Sequence, residues 1–319
     1  MEPRTKAPDL SVIICTFNPR EDYLRRVLNA LRNQTLPLAN WELLLIDNAS
    51  QPPVSNRFDL SWHPHGRHLR EEKPGKINAW LLGVNEAKSD LLVFVDDDNV
   101  LAPNYLEQAL IIADDWPFVG VWGGSIIPEF ESPLPAWVGQ TAWMLTIEVV
   151  KEDVWSNFRE GFQSIPSGAG MCVRRRVGLR YREWCQSGGS LGLDRHGEGH
   201  GGYGDVDQAH CAIDIGLGTG KSTRLKLTHL IPSSRLTLNY FKKRSEEDAA
   251  SLMLFRAIRN LPIEKPKPKT LIGSLRWFMH RVIHRVPREQ YEIQKAYRCG
   301  LEKGWELASE YLRQKSAGG

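Results

Sequence analysis

The sequence predicts an α/β protein with a mostly parallel central sheet covered by helices on both faces, followed by a helical C-terminal extension. Three observations carry that expectation. Continuous β-branched apolar runs alternate with helical periodicity, each run ends in polar residues, and the composition changes after Pro232.

The first run, LSVIICTFN from Leu10 to Asn18, reads as a buried strand feeding a helix, with Asn18 as N-cap and Pro19 suited to the first helical position. Leu24, Val27, Leu28 and Leu31 then follow i, i+3, i+4, i+7 spacing, the apolar face of that helix. WELLLIDNAS repeats the strand pattern, and Ile77, Leu81 and Val84 mark a second amphipathic helix. LLVFVDDDN is a third buried strand, after which Pro103 opens a helix with Leu106, Ala109, Leu110 and Ala113 on one face. Ligands of such sheets sit beyond the carboxyl ends of the strands, so Asn18, Asp47 and Asp96 to Asp98 are expected to share one crevice.

After FVGVWGGSIIP the pattern loosens, and the glycine-dense SGGSLGLDRHGEGHGGYGDVDQ is expected to act as a lid. A helix from about Asp207 and the strand STRLKLTHLI follow. Past Pro232, SEEDAASLMLFRAIRN opens with the capping-box spacing of Ser245 and Asp248, and PIEKPKPK reads as an extended linker. The expected division is therefore 1–235 for the α/β domain and 236–319 for the helical extension.

With 41 Lys plus Arg against 38 Asp plus Glu, the net charge of +3 is too balanced to indicate a nucleic-acid binder. The five cysteines, Cys15, Cys172, Cys185, Cys211 and Cys299, contain no C-x-x-C pair and read as free thiols of a reducing cytoplasm. No segment reaches the ~20 apolar residues that span a bilayer, and MEPRTKAPDL has no apolar core for a secretion signal. The expected location is cytoplasmic, at most peripheral at the inner face of the cell membrane. SLRWFMHRVIHRV in the extension would either lie on an anionic membrane as a basic amphipathic helix or pack against the catalytic domain.

The chemistry starts at Asp96, Asp97 and Asp98. Three adjacent carboxylates repel one another and each loses hydration on burial, so such a cluster needs a cation, a hydrogen-bonding ligand or open water. Capping the following helix would take one carboxylate, not three. Hard cations such as Mg²⁺ and Mn²⁺ prefer carboxylate oxygens, one or two per site, completed by phosphates and waters.

LSVIICTFNPREDYLRRVLNALRNQT, LLLIDNAS, LLVFVDDDNVLAPNYLEQAL and GYGDVDQAHCAIDIGLGTG with LKLTHLIP occur in an order that resembles glycosyltransferase family 2, inverting enzymes with the Rossmann-like GT-A fold. The likeness covers the first three-quarters of the chain. It implies a nucleotide-sugar donor and a divalent metal, Mn²⁺ or Mg²⁺, with Asp98 on the metal and Asp96 or Asp97 on ribose or sugar hydroxyls. It also implies that Asp47 accepts a hydrogen bond from the base, with Thr16 and Asn18 lining the same pocket. A ring N–H such as that of uracil suits a carboxylate, which favours a UDP-sugar. Lys76 occupies a place where the family often puts a basic residue near the phosphates, and His229 matches a histidine that can complete the metal site.

An inverting transfer needs a carboxylate to take the proton of the acceptor hydroxyl. The family's Glu-Asp motif maps onto YGDVDQ, which puts Asp205 at the base position with Asp207 as the alternative, and Gly204 stands where Glu is usual. The acceptor implied is a glycan or a lipid-linked sugar, as in bacterial surface polysaccharide synthesis. A nucleotidyltransferase is the first rival, weakened by the lack of glycine in CTFNPRED; a non-catalytic sugar-nucleotide-binding protein is the second. GLGTGKST is not a phosphate-binding loop, since Ile215 occupies the first glycine position. HPHGRH, from His63 to His68, reads as a solvated loop, and His196 and His200 as loop polar groups able to meet an acceptor.

Overall fold

The computed structural model describes residues 7–160, 162–189, 193, 202–266 and 286–317. They form two compact units. The first joins the segments up to Glu129, Ile147–Gly189 and Gly204–Leu230; the second gathers Phe130–Thr146, the described residues of 190–203 and those from Ile231 onward. Two segments earlier than residue 235 thus belong with the C-terminal helices.

In the first unit, strands β1 (Leu10–Thr16), β2 (Trp41–Asp47), β3 (Gly66–Arg70) and β4 (Leu91–Val95) are joined by parallel pairings, β3 to β2, β2 to β1 and β1 to β4. Strands β5 (Asn99–Leu101), β6 (Val119–Phe130), β7 (Val154–Ser156), β8 (Cys172–Arg174) and β9 (Gly218–Ile231) complete the sheet in the order β3-β2-β1-β4-β8-β6-β9-β5, with β7 also on β9. The pairings of β8 with β4 and β6, and of β5 and β7 with β9, are antiparallel. The sheet is therefore mixed, not mostly parallel. Three of the antiparallel strands are three residues long, too short to leave a period-2 signature.

The apolar runs are continuous because both faces are covered. Val12, Ile14, Leu43, Leu45, Val93 and Val95 pack with helices α1 (Glu21–Arg32) and α3 (Tyr105–Asp115), whereas Ile13, Leu44, Ile46, Leu92 and Phe94 pack with α2 (Lys76–Glu86), α4 (Arg175–Gln186) and α5 (Gly204–Asp214). Leu24, Val27, Leu28 and Leu31 of α1 are all buried, at about 1.5–3 kcal/mol each. The buried residues of α2 are Ala79, Trp80, Gly83 and Val84, while Ile77 and Leu81 are half-buried. Its face is set by Trp80, which stacks on Phe94 at 4.6 Å, and by Gly83, where a Cβ would come within 2.6 Å of Ile13. Leu106 and Ala109 of α3 are buried, with Leu110 and Ala113 partly so.

The expected helix caps differ. The N-cap of α1 is Arg20; Asn18 adopts φ 46° and its amide oxygen accepts from Gln51 N at 2.9 Å. In the second unit, α6 (Leu238–Ile258) starts at Thr237, whose hydroxyl accepts from Tyr240 N. Ser245 lies inside that helix and donates to Ile293 O at 3.1 Å, so it is a helix contact and not a cap. The partner helix is α7 (Arg288–Ala317). Its buried stripe is Ile293, Ala296, Gly300, Gly304 and Ala308, nearly all small, which lets its backbone approach α6 closely. SLRWFMHRVIHRV lies outside the described residues except for its final Val286.

HPHGRH is not a solvated loop throughout. His63 is buried edge-on against Trp41, with ring centroids 4.2 Å apart, and its Nδ1 accepts from His65 N. Burial, assisted by His65, pushes its pKa down to about 4. The unfolded chain then holds a proton that the folded chain refuses between about pH 6.5 and that value. His63 thus costs no stability above that window, and stability falls as pH drops through it, by up to about 1.4 kcal/mol per pH unit. Urea midpoints measured across pH 4–7 are expected to vary less with pH in His63→Phe than in the parent.

Candidate functional site

Strand register assembles the site. Thr16 pairs with Asp47 across β1 and β2, and Asp47 with Arg70 across β2 and β3. Ile14 pairs with Val95, which sets Thr16 beside Asp97 two residues further on. Arg70, Asp47, Thr16 and Asp97 therefore form one row at the carboxyl ends of the parallel strands, and contacts run along it. Arg70 donates to Asp47 Oδ2 at 2.7 Å, and the Thr16 hydroxyl donates to Asp97 Oδ2.

Asp47 holds the loop that follows it: Oδ1 accepts from Ser50 N at 2.8 Å and Oδ2 from Val54 N at 3.0 Å. Burial alone would raise its pKa, but Ser50, the Val54 N–H and Arg70 reverse this and keep it below the usual range. The Ser50 N–H and hydroxyl, the Val54 N–H and Arg70 together engage the carboxylate. Asn18 belongs to the same rim, its N–H donating to Ser50 Oγ at 2.8 Å. Asn48 ties the next segment down through Gly75 N, Glu71 O and Lys73 O, so Lys76 starts α2 facing the triad.

Each aspartate of the triad has a different environment. Asp96 is half-buried and receives Lys76 Nζ at 2.8 Å. Asp97 has its pKa pushed up to about 6, chiefly by burial; Thr16 opposes the shift, Asp98 and Asp96 add to it, and Lys76 opposes it. Asp98 is 8% exposed, its Oδ1 accepting from Asn99 Nδ2 at 2.9 Å and its Oδ2 lying 3.4 Å from His229 Nε2. The antiparallel register of β5 and β9 brings that histidine in, since Asn99 pairs with His229 and Leu230 N donates to Asp98 O. Cys15, beneath the triad, is pushed up to about 12 by burial and stays a thiol.

Among the described residues no three His, Cys, Asp or Glu side chains form a metal-holding group. A dication at a diphosphate needs only one or two protein ligands besides phosphates and waters, and the donor pair Asp98 and His229 fits that requirement.

The two acidic residues of α5 separate clearly. Asp205 is half-buried at the first turn, its Oδ2 accepting from Gly168 N at 3.0 Å and its Oδ1 from Val206 N at 2.9 Å. Asp207 is 0% exposed, with Trp184 Nε1 donating to its Oδ2 at 3.1 Å. Of the two carboxylates, Asp205 is therefore the more open to an incoming group. GLGTGKST lies at the start of β9 and opens no helix. His196 and His200 lie outside the described residues.

Residues 11–175 match the family model for glycosyl transferase family 2. The chain belongs to glycosyl transferase family 2. The α/β fold with its C-terminal helices is the GT-A type expected of this family. Relatives of this family 2 chain include glycosyltransferase AglE of Haloferax volcanii, 28% identical over 106 residues covering 32% of this chain and 34% of AglE. EpsH of Bacillus subtilis is 26% identical over 113 residues, covering 34% of this chain and 32% of its own length. The chain thus spans about a third of the length of the curated relatives it matches. Among solved structures, S. aureus TarS aligns with 92% of this chain and 55% of its own, at 14% identity and a TM-score of 0.49. TarS 1-349 in complex with UDP aligns with 96% of this chain and 92% of its own, at 16% identity and a TM-score of 0.46.

Two site residues of this family 2 chain escape a reading of its sequence. Arg70 ends a strand, GRHLR, whose one apolar residue is Leu69, so the strand-end rule that finds Asp47 has nothing to act on. Gly168 lies in PSGAGM beside the three-residue β8. No described helix is long and apolar enough to cross a membrane.

Proposed function

We propose that this chain is a metal-dependent inverting glycosyltransferase that moves a sugar from a nucleoside-diphosphate sugar, a UDP-sugar first, to a hydroxyl of a glycan or lipid-linked acceptor in surface polysaccharide synthesis. The observation that carries the reading is the row Arg70, Asp47, Thr16 and Asp97 at the strand ends of a family 2 domain, with Asp98 and His229 adjoining it. Asp47, at the end of β2, is the carboxylate offered to a base N–H, which would take the place of one of its present donors. Lys76, held at Asp96, stands ready for the negative charge that develops on the departing diphosphate. Asp98 and His229 would hold Mn²⁺ or Mg²⁺, which supplies further positive charge to that leaving group. Asp205 takes the proton of the acceptor hydroxyl as its oxygen attacks the anomeric carbon and the sugar–phosphate bond breaks, with inversion. Location at the inner face of a membrane belongs to this proposal through its lipid-linked acceptor.

The test is turnover of a panel of UDP-glucose, UDP-N-acetylglucosamine, UDP-galactose, GDP-mannose and TDP-rhamnose, with octyl glycosides and water as acceptors and with or without Mn²⁺. Release of nucleoside diphosphate with an inverted product is expected; pyrophosphate would mark a nucleotidyltransferase, and binding without turnover a non-catalytic relative. In calorimetric titrations Asp98→Ala is expected to weaken Mn²⁺-dependent UDP binding by about 10- to 100-fold, the scale of losing one charge-assisted contact of roughly 1.5–3 kcal/mol. Unchanged joint uptake of Mn²⁺ and UDP would remove the metal role from Asp98.

A further inference from the structure

Gly168 N is 3.0 Å from Asp205 Oδ2, and a Cβ built on Gly168 would lie 3.1 Å from that oxygen and 3.2 Å from Asp205 Cβ. Glycine is thus both the donor and the clearance for this carboxylate. The turn that carries it is anchored from below at two points. The buried Tyr105 hydroxyl donates to Gly170 O at 2.6 Å, and Phe94 N donates to Met171 O at 2.8 Å. Gly170 itself has φ 68°, and a Cβ there would meet Leu227 and the Tyr105 hydroxyl oxygen at 2.6 Å each, so the turn has one way to sit. Phe94 lies two residues before Asp96. The strand that ends in the donor-side triad therefore also fixes the turn beside the acceptor-side carboxylate.

We propose that Gly168 is a positioning residue that aims Asp205 at the acceptor hydroxyl, its N–H holding Oδ2 and its missing side chain leaving room for that oxygen and the Asp205 Cβ. This rests on Asp205 being the base. Substitution by Ala makes the carboxylate give way by a few tenths of an ångström, and misplacement of that order at a reacting group costs far more rate than binding.

The experiment is a double-mutant cycle of Gly168→Ala and Asp205→Ala. Turnover is read as nucleoside diphosphate released from the panel donor with the highest rate, and donor-side integrity as the Kd for UDP with Mn²⁺. Gly168→Ala is expected to lower kcat about 10- to 100-fold in the parent and less than about two-fold in the Asp205→Ala background, with the UDP Kd unchanged in both. An equal fractional loss in the two backgrounds, or a parallel loss of UDP binding, would overturn the proposal while leaving Asp205 as the base. Parent-like turnover in Asp205→Ala would overturn both. Should Gly168→Ala fail to fold, Tyr105→Phe enters the same cycle, since it loosens Gly170 without touching the site, and absence of coupling to Asp205 there is equally decisive against the idea.

Discussion

Asp205→Asn is expected to lower kcat by about 10²–10⁴-fold, the usual contribution of a positioned general base. The substitution is nearly isosteric: the Asn oxygen still accepts from Gly168 N or Val206 N, so α5 keeps its first turn. On the role proposed for Asp205, proton acceptance is what disappears. Arg70, Asp47, Thr16 and Asp97, proposed for the nucleotide side, share no hydrogen bond with Asp205, so the UDP Kd should stay within about two-fold. Steady-state turnover alongside calorimetric UDP titration reads both quantities. A loss confined to KM would assign Asp205 to acceptor binding instead of proton transfer.

Gly300→Val is expected to destabilise the second unit by about 3 kcal/mol or more, the upper range for overpacking, and to lower its melting midpoint by about 6–12 °C. A Cβ on Gly300 would stand 2.1 Å from Glu246 O and 2.8 Å from Ala249 Cβ, and one on Gly304 would stand 2.7 Å from Ala250 O. Main-chain carbonyls inside α6 cannot yield without breaking its hydrogen-bond ladder, so the helices must separate. Separation strips the contacts of the stripe from Ile293 to Ala308 with Ala249, Ala250 and Met253 of α6, all buried. Far-UV circular dichroism on heating measures the shift. A Val at exposed Lys303 is the control, limited to the loss of its surface ion pair with Glu246, which is worth little.

The parallel half of the sheet was legible because its strands are long apolar runs: Leu10–Thr16, Trp41–Asp47 and Leu91–Val95 stand within two residues of where the composition put them. Their polar ends named Asp47 and the triad. Legibility stopped where local pattern did. β5, β7 and β8 are too short for periodicity, and β3 carries one apolar side chain in five. The apolar face of α2 was read only in part: Ile77, Leu81 and Val84 do pack on the core, but Gly83, silent on any hydrophobic scale, marks its closest approach to the sheet. Asp207 and Asp205 cannot be told apart by residue type; their burial differs through long-range packing that includes the indole of Trp184, 23 residues earlier. Ser245 has the right neighbours for a cap, yet Leu238–Arg244 already forms helix under Thr237.

The pairing of Asn99 with His229 has a consequence for how the protein comes into being. Asn99 and His229 leave the ribosome 130 residues apart, roughly six to twenty-six seconds at ordinary elongation rates of about 5–20 residues per second. Throughout that interval the nascent α/β core holds three aspartates at a strand terminus with no imidazole opposite. Such long-range closure slows folding and prolongs exposure of the unfinished sheet margin to other chains. The His229 side of the acidic cluster is thus the last part of this corner of the sheet to be made.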